Sequence, residues 1–343
     1  MKRVCSTCVA VAVIAILTTT VLAQQSFPPR AVPPLLLVRT IPLPGVEGRF
    51  DHMALDPKGA KLFATVYGND TVEVIDLRRS KRVHSIEGLD EPQGVAYVPE
   101  SNQIVVSSAG EGRCKIYDAE SYKLIKTINF PSDSDQLRYD AASRRVYVGY
   151  GDGALGSIDV TKNERVAEDF EVGAHPESFQ LETSGPRIFV NLQSINQIAV
   201  INRKTHEVAK WKLTEAGTNF PMALDEPHRR MFIGARRPGR LLVYNMDSGK
   251  VVASLPSAFD TDDLWFDPDR KRIYVPGGEG FIYVFQQIDA DHYQAIDKIP
   301  TAVGARVSFY STETVGKHND LYLAVPSHGN QAAEMWVYET VDE

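Results

Sequence analysis

Carboxylates return along this chain at a nearly constant interval. Asp51, Gln93, Asp135, Glu177, Phe220, Asp262 and Ala305 stand 42 or 43 residues apart, and four of the seven are acids. The next position holds His52, Gly94, Gln136, Ser178, Pro221, Asp263 and Arg306, while His175 and Asn219 lie just upstream of two members of the first series. Carboxylates, imidazoles and guanidinium groups bind metals, move protons and hold polar ligands. Three chemistries therefore suit these residues if folding gathers them. Asp51, Asp135, Glu177, Asp262, Asp263, Arg236 and Arg306 would line a binding site for a small polar molecule or a protein or peptide segment. Glu177, Asn219, Asp262 and Asp263 offer oxygen ligands to a hard divalent cation such as Ca²⁺, with water completing its shell. In a hydrolase reading, metal-assisted or His-based, His52 or His175 acts as general base, a carboxylate or bound cation orients water, and Arg306 stabilises the developing oxyanion of a lactone-type ester. The same residues also suit solvated turns with no ligand. Like charges about 7 Å apart cost roughly 2 kcal/mol per pair at an effective dielectric near 20. Converging acids thus need Arg306, protonated histidines or a bound cation beside them.

What must position these residues is written in a second series. An apolar residue at the centre of a short strand-like run recurs as Phe63, Val105, Tyr147, Phe189, Phe232, Tyr274 and Tyr322, at steps of 42, 42, 42, 43, 42 and 48. Within the first unit, Met53–Leu55, Leu62–Thr65, Val72–Ile75 and Arg82–Ile86 alternate with turn residues, which reads as a four-stranded meander. Units of this length without helical periodicity predict an all-β, seven-bladed β-propeller with four antiparallel strands per blade. The third strand of each unit mostly closes on Asp76, Asp118, Asp159, Asn202 or Asn245, whose side chains are expected to bond backbone two residues onward. The chain ends after the third strand of its last unit, near Tyr338. Leu36–Ile41 resembles the outer strand Tyr122–Ile128 in pattern, so the N-terminal strand is expected to complete the last blade and close the ring. The loops leading into the inner strands and those joining strands two and three then share one face. The joining loops bring Asn69, Glu111, Asp152, Asn196, Arg236, Arg237, Glu279 and His328 to that face. Glycines around Glu111, Asp152 and Glu279 read as tight turns, because no helix follows to cradle a phosphate.

Composition narrows the field further. Hydrophobic residues make up 43% and charged residues 24%, as in a globular domain with ample core. Lys2 and Arg3 precede an uncharged apolar run ending in Val21-Leu22-Ala23, the pattern of a signal peptide over residues 1–23 and of a periplasmic or secreted protein. Residues 24–34 contain Pro28, Pro29, Pro33 and Pro34 and read as a tether, leaving 35–343 for the propeller. Cleavage would leave no membrane span and would remove Cys5 and Cys8, so that Cys114 has no partner for a disulfide. The formal charge of −7 becomes −9 without Lys2 and Arg3, and no basic cluster occurs, which argues against nucleic acid as a partner. A monomer is expected. Motifs of serine hydrolases with a nucleophile elbow, of zinc proteases, of EF-hands and of haem attachment are missing from the mature chain.

Tyr147-Val148-Gly149-Tyr150 and Phe189-Val190-Asn191-Leu192, each followed by a strand ending in Ile-Asp or Ile-Asn, resemble the YVTN repeat. Residues 35–343 as a whole resemble the bacterial YncE-like, YVTN seven-bladed propeller family. The Gly-His and Trp-Asp pairs of WD40 repeats are absent. The resemblance implies an extracytoplasmic propeller that binds a ligand or partner. Related propellers also include lactonases and cofactor-bearing oxidoreductases, and a structural envelope or surface protein is a further alternative.

Overall fold

The computed structural model describes residues 32–312 and 319–342, so the expected signal peptide and most of the tether lie outside the described residues. Seven antiparallel sheets follow one another along the chain, spanning 50–86, 92–129, 134–171, 179–212, 217–256, 265–300 and 307–340. They are the blades of a seven-bladed β-propeller. In each, consecutive short strands pair as a meander from the channel outward, because the runs are apolar on both faces and the turns between them are too short for a crossover. Helical structure among the described residues is confined to two single turns, Tyr67–Asn69 and Gln193–Ile195. No helix among them is long and apolar enough to cross a membrane.

The ring closes as expected. Leu35–Leu43 pairs antiparallel with Ala333–Thr340 and forms the outer strand of the seventh blade. Ile41 and Leu43 of this strand enter a buried cluster with Met335, Val337, Leu62 and Ile75, which joins the last blade to the first. One such apolar cluster occupies each junction between successive blades. Burying one Leu, Ile or Phe contributes about 1.5–3 kcal/mol, so these junctions dominate the stability of a ring in which Cys114 is buried and forms no disulfide. The third blade departs from the simple pattern. Its outer strand is broken into Glu164–Arg165 and Phe170–Glu171, both paired with Ala154–Asp159. Asp169 in the gap is held by Arg165 and by the Tyr150 hydroxyl at 3.0 Å.

Asp118, Asp159, Asn202 and Asn245 bond backbone two residues onward as expected, whereas Asp76 reaches the third. Asp76 accepts the Arg79 N–H at 2.8 Å, Asp159 that of Thr161 at 2.9 Å, and Asn202 that of Lys204 at 2.9 Å. A second device, not visible as a motif, lies at the channel end of the inner strands. Register breaks fall between Phe50 and Met53, Pro92 and Val95, Ser134 and Leu137, and Asn219 and Met222. Side chains of a regular strand alternate between faces, so Asp51 and His52 would point apart. The bulge lets both reach the channel. The backbone it frees is taken by a hydroxyl from the second strand: Thr65 Oγ1 accepts the His52 N–H at 2.9 Å and donates to the Gln93 carbonyl of the next blade at 2.6 Å. Ser107 repeats this arrangement, accepting the Gly94 N–H at 2.8 Å and donating to the Asp135 carbonyl. Blades approach so closely here that a Cβ on Gly94 would lie 2.3 Å from that carbonyl, which is why no side chain occupies this register in the second blade.

Candidate functional site

The leading loops meet around a polar cavity of about 60 Å³ at the channel mouth, lined by Arg49, Asp51, His52, Gln93, Asp135, Gln136, Glu177, Ser178, Phe220, Arg236, Asp262 and Arg306. Both sequence registers contribute, through the bulges described above. In the seventh blade only the second register lines it: Ala305 is buried in the junction core, and Arg306 faces the cavity like His52, Gln136 and Ser178.

One side of the mouth is a closed ionic clamp. Arg306 donates from Nη1 to both oxygens of Asp260, at 2.7 and 3.0 Å, and from Nε to Asp262. Arg236 grips the other oxygen of Asp262, bonds the Thr261 carbonyl at 3.0 Å, and stacks its guanidinium 3.3 Å from the centre of the Phe220 ring. Two arginines thereby fix one aspartate, and the ring beneath Arg236 holds its plane. Arg237, its neighbour in sequence, is exposed.

The opposite side holds acids with few cations. With its amide assigned so that the nitrogen faces the two acids, Gln93 donates to Asp51 at 3.3 Å and to Asp135 at 3.1 Å. Arg49 reaches Asp51 at 3.4 Å from above the Tyr67 ring. His175 stands behind Asp135, with Nε2 at 3.1 Å from its carboxylate and Nδ1 at 2.8 Å from the Gly151 carbonyl. Both ring nitrogens face acceptors, so the ring carries both protons. Burial opposes that charge, but the bond to Asp135 and the charges of Asp135 and Asp133 outweigh it and raise His175 to about 9. Glu177 lines the cavity, accepts no hydrogen bond and forms no ion pair among the described residues. Burial and the neighbouring Asp135 charge raise it to about 8, with His175 and Arg236 offsetting only part. Burial and the charges of Asp135, Asp262 and Glu177 likewise raise Asp51, against the pull of Arg49.

Below the mouth sits a third group. Gln136 receives the Phe179 N–H on its carbonyl at 3.0 Å, which leaves its amide nitrogen 3.3 Å from His52 Nε2. His52 is therefore a neutral acceptor, and burial lowers it to about 4. Its Nδ1 stands 3.9 Å from Asp263, a carboxyl that burial raises to about 8 although it accepts the Ser308 N–H at 2.8 Å. Arg138, on the inner strand Ser134–Asp140, is an unanticipated member. Burial lowers it to about 10 against the charges of Asp263 and Asp135. Ala54, Ala96 and Ala223 occupy the matching place in three other blades, so a charged residue there was the signal to notice. Arg49, two residues before Asp51, was also missed.

The predicted residues thus separate into groups. Asp51, Asp135, Glu177, Asp262, Arg236, Arg306 and His52 meet in or around the cavity, with His175 one hydrogen bond behind it. Asn219 does not join them: its amide donates to Asn191 at 2.7 Å and to the Gln197 carbonyl at 3.0 Å. No group of three or more His, Cys, Asp or Glu with metal-holding geometry occurs among the described residues. The joining loops chiefly tie neighbouring loops together. Asn69 accepts the Glu47 N–H at 3.3 Å and Asn196 that of Thr218 at 2.6 Å, while Glu111 pairs with Lys115 at 3.2 Å.

A closed ring of seven sheets around an acid-lined polar mouth defines the chain as a seven-bladed β-propeller with a channel-mouth cavity. Sequence comparison narrows the class. Over 208 residues the chain is 24% identical to an uncharacterised protein, YncE, of Salmonella typhimurium, and the match covers 59% of this chain and 58% of that protein. The YncE protein of Salmonella typhi matches with the same identity and coverage. The matched stretch is thus less than two thirds of the relatives' length. No family model matches the chain. Among solved structures, hydrazine synthase of Kuenenia stuttgartiensis superposes with a TM-score of 0.74 at 17% identity, over 87% of this chain and 97% of the other. A chain of the mitotic checkpoint complex also gives 0.74, at 14% identity, over 95% and 100%. These two likenesses concern the fold alone. The sequence similarity and the seven-bladed ring together fit a YncE-like propeller family.

Proposed function

We propose that this chain is a binding protein that recognises a small polar ligand or a partner segment at the channel mouth. The observation that carries the reading is the split between the two sides of the cavity. Arg236 and Arg306 are turned onto Asp260 and Asp262, whereas Glu177 lines open space without a partner among the described residues. A carboxyl left open to a ligand, beside a polar wall fixed in advance, is what a preorganised binding site needs. The hydrolytic alternative draws less support. His175 is held as the doubly protonated ring by Asp135 and Gly151, and the donors of Arg306 are engaged by carboxylates rather than aimed at an oxyanion. Export to the periplasm or beyond is part of the same proposal and is supported by the signal-peptide pattern of residues 1–23. Mass spectrometry of the mature N-terminus should find it at Gln24, and a retained Met1 would refute export by cleavage.

Titration with a panel of amines, organic acids, lactones and Ca²⁺ tests the reading on the wild-type chain and on the double variant Asp51→Asn/Glu177→Gln. The expected result is at least one ligand whose affinity drops about tenfold or more in the double variant. If every ligand that binds does so equally well in both proteins, the mouth is not the binding site. Lactone turnover in the same panel would favour hydrolysis instead.

A further inference from the structure

The rim of the mouth bears on what kind of ligand enters it. Val303 and Phe259 are 70% and 59% exposed, the two most exposed large apolar side chains among the described residues. Both stand on the loops that carry the ionic clamp. Phe259 precedes Asp260, and its N–H donates to Glu279 at 3.4 Å. Gly304, next to Val303, donates to the Gly278 carbonyl at 2.8 Å, and Gly278 donates to that of Asp260 at 2.7 Å. The two side chains are therefore held out by loops already bonded to one another. Ile195, 40% exposed, lies on the joining turn of the fourth blade, on the same face. Single exposed apolar residues are ordinary. Two on loops cross-linked beside an acidic opening are a different matter, because a soluble protein gains nothing by displaying them there unless something covers them.

The opening itself limits the occupant. At about 60 Å³ it is far below the roughly 300–1,000 Å³ of a pocket that encloses a drug-sized molecule. It has room for an ammonium group and the end of an alkyl stem. Charge sets the rest. Asp51, Asp135 and Glu177 line it; Arg49 engages Asp51 at 3.4 Å and His175 engages Asp135 at 3.1 Å. The arginines of the clamp face Asp260 and Asp262, Glu177 has no cation of its own among the described residues, and the chain as a whole carries −7. An anion would meet acids on one side and engaged donors on the other.

We infer that this face docks a segment of a partner protein, which inserts a lysine side chain between Asp51 and Glu177 and lays its flanking apolar residues on Phe259 and Val303. This rests on the channel-mouth reading above and commits it to a basic, apolar-flanked segment. A free amine would use the same carboxylates but leave the rim uncovered.

Calorimetric titration of the full chain with four probes tests it: a capped pentapeptide with a central lysine between leucines, its Nε-acetyl-lysine twin, its twin with serines for leucines, and butylammonium. The leucine peptide should bind tightest. At pH 8.5, where Glu177 has given up its proton, acetylation should weaken it about tenfold or more, because it removes the charge that the carboxylates pair with. Serines should weaken it about fivefold, as should the double variant Phe259→Ser/Val303→Ser, and that variant should bind butylammonium like the wild type. If the leucine and serine peptides bind alike, or the rim variant binds the leucine peptide unchanged, the docking inference is wrong. The channel-mouth reading still stands in that event, provided butylammonium binding is lost in Glu177→Gln. Failure of all four probes also overturns the inference, and the panel of organic acids, lactones and Ca²⁺ then judges the mouth independently.

Discussion

Glu177 and Glu182 bracket one short inner strand, Phe179–Leu181, and their surroundings could hardly differ more. Glu182, on the face away from the mouth, receives Arg187 through Nε at 2.9 Å and Nη2 at 2.7 Å, and Arg229 through Nη1 at 2.7 Å. Those contacts, led by Arg187, overcome burial and hold it at about 2. Glu177, at the mouth, has no such partner, and burial with the Asp135 charge raises it to about 8. One residue type on one strand is thus a satisfied structural anion at one end and a proton-holding group at the other. Buried carboxylates that serve stability are given cations, and a buried carboxylate left without one is the place to look for an external partner.

The largest effect is expected for Glu182→Gln, which leaves two arginines around a neutral amide; equilibrium urea unfolding at pH 7 should show a loss of about 3 kcal/mol. The sign follows from the lowered value: Glu182 contributes its stability above about pH 4.5 and loses it as the pH falls through about 2. A stability curve in which wild type and variant stay parallel between pH 2 and 5 would contradict the assignment. Next comes Arg306→Ala, which opens the clamp while Arg236 still holds Asp262. Because Arg306 is partly exposed, the loss should be nearer 2 kcal/mol, read from the thermal midpoint. An unchanged midpoint would show the clamp to be ornamental. The smallest effect belongs to Glu177→Gln and has the opposite sign. A carboxyl raised in the folded state favours folding below its unfolded value near 4.5, and that contribution is lost as the pH rises through about 8. Linkage caps the effect at about 5 kcal/mol, but Glu177 opens onto the mouth and shares its charge with Asp51 and Asp135, so the variant should match wild type at pH 4.5 and gain nearer 1 kcal/mol at pH 8.5, a gain that hydrogen exchange or urea unfolding would detect. Destabilisation at pH 8.5 would mean that Glu177 has a cationic partner after all.

Much of this architecture was legible in the residues. Constant spacing from Phe63 to Tyr274 exposed the blades, since each blade needs the same buried centre at the same chain length. The match of Leu36–Ile41 to an outer strand revealed the closure, because a sheet one strand short must be completed from elsewhere. The two registers starting at Asp51 and His52 correctly named most of the cavity lining. They failed where local backbone geometry intervened. Ala305 of the first register is buried in the junction core, and Asn219, just upstream of Phe220, turns to Asn191 instead of the channel. Arg138 escaped notice because register marks a position along a strand, not its depth in the channel. The pairing of Arg236 and Arg306 on one aspartate was also invisible, since the residues come from three successive blades.

Periodicity alone determined the number of blades, their order and the end of the ring at which acids accumulate, for repetition along a chain becomes rotation about an axis. Which acids are neutralised and which are left to hold protons was decided only in three dimensions. Charge state depends on distances of a few ångströms between loops that lie about 42 residues apart in sequence, and on how far water is excluded from between them.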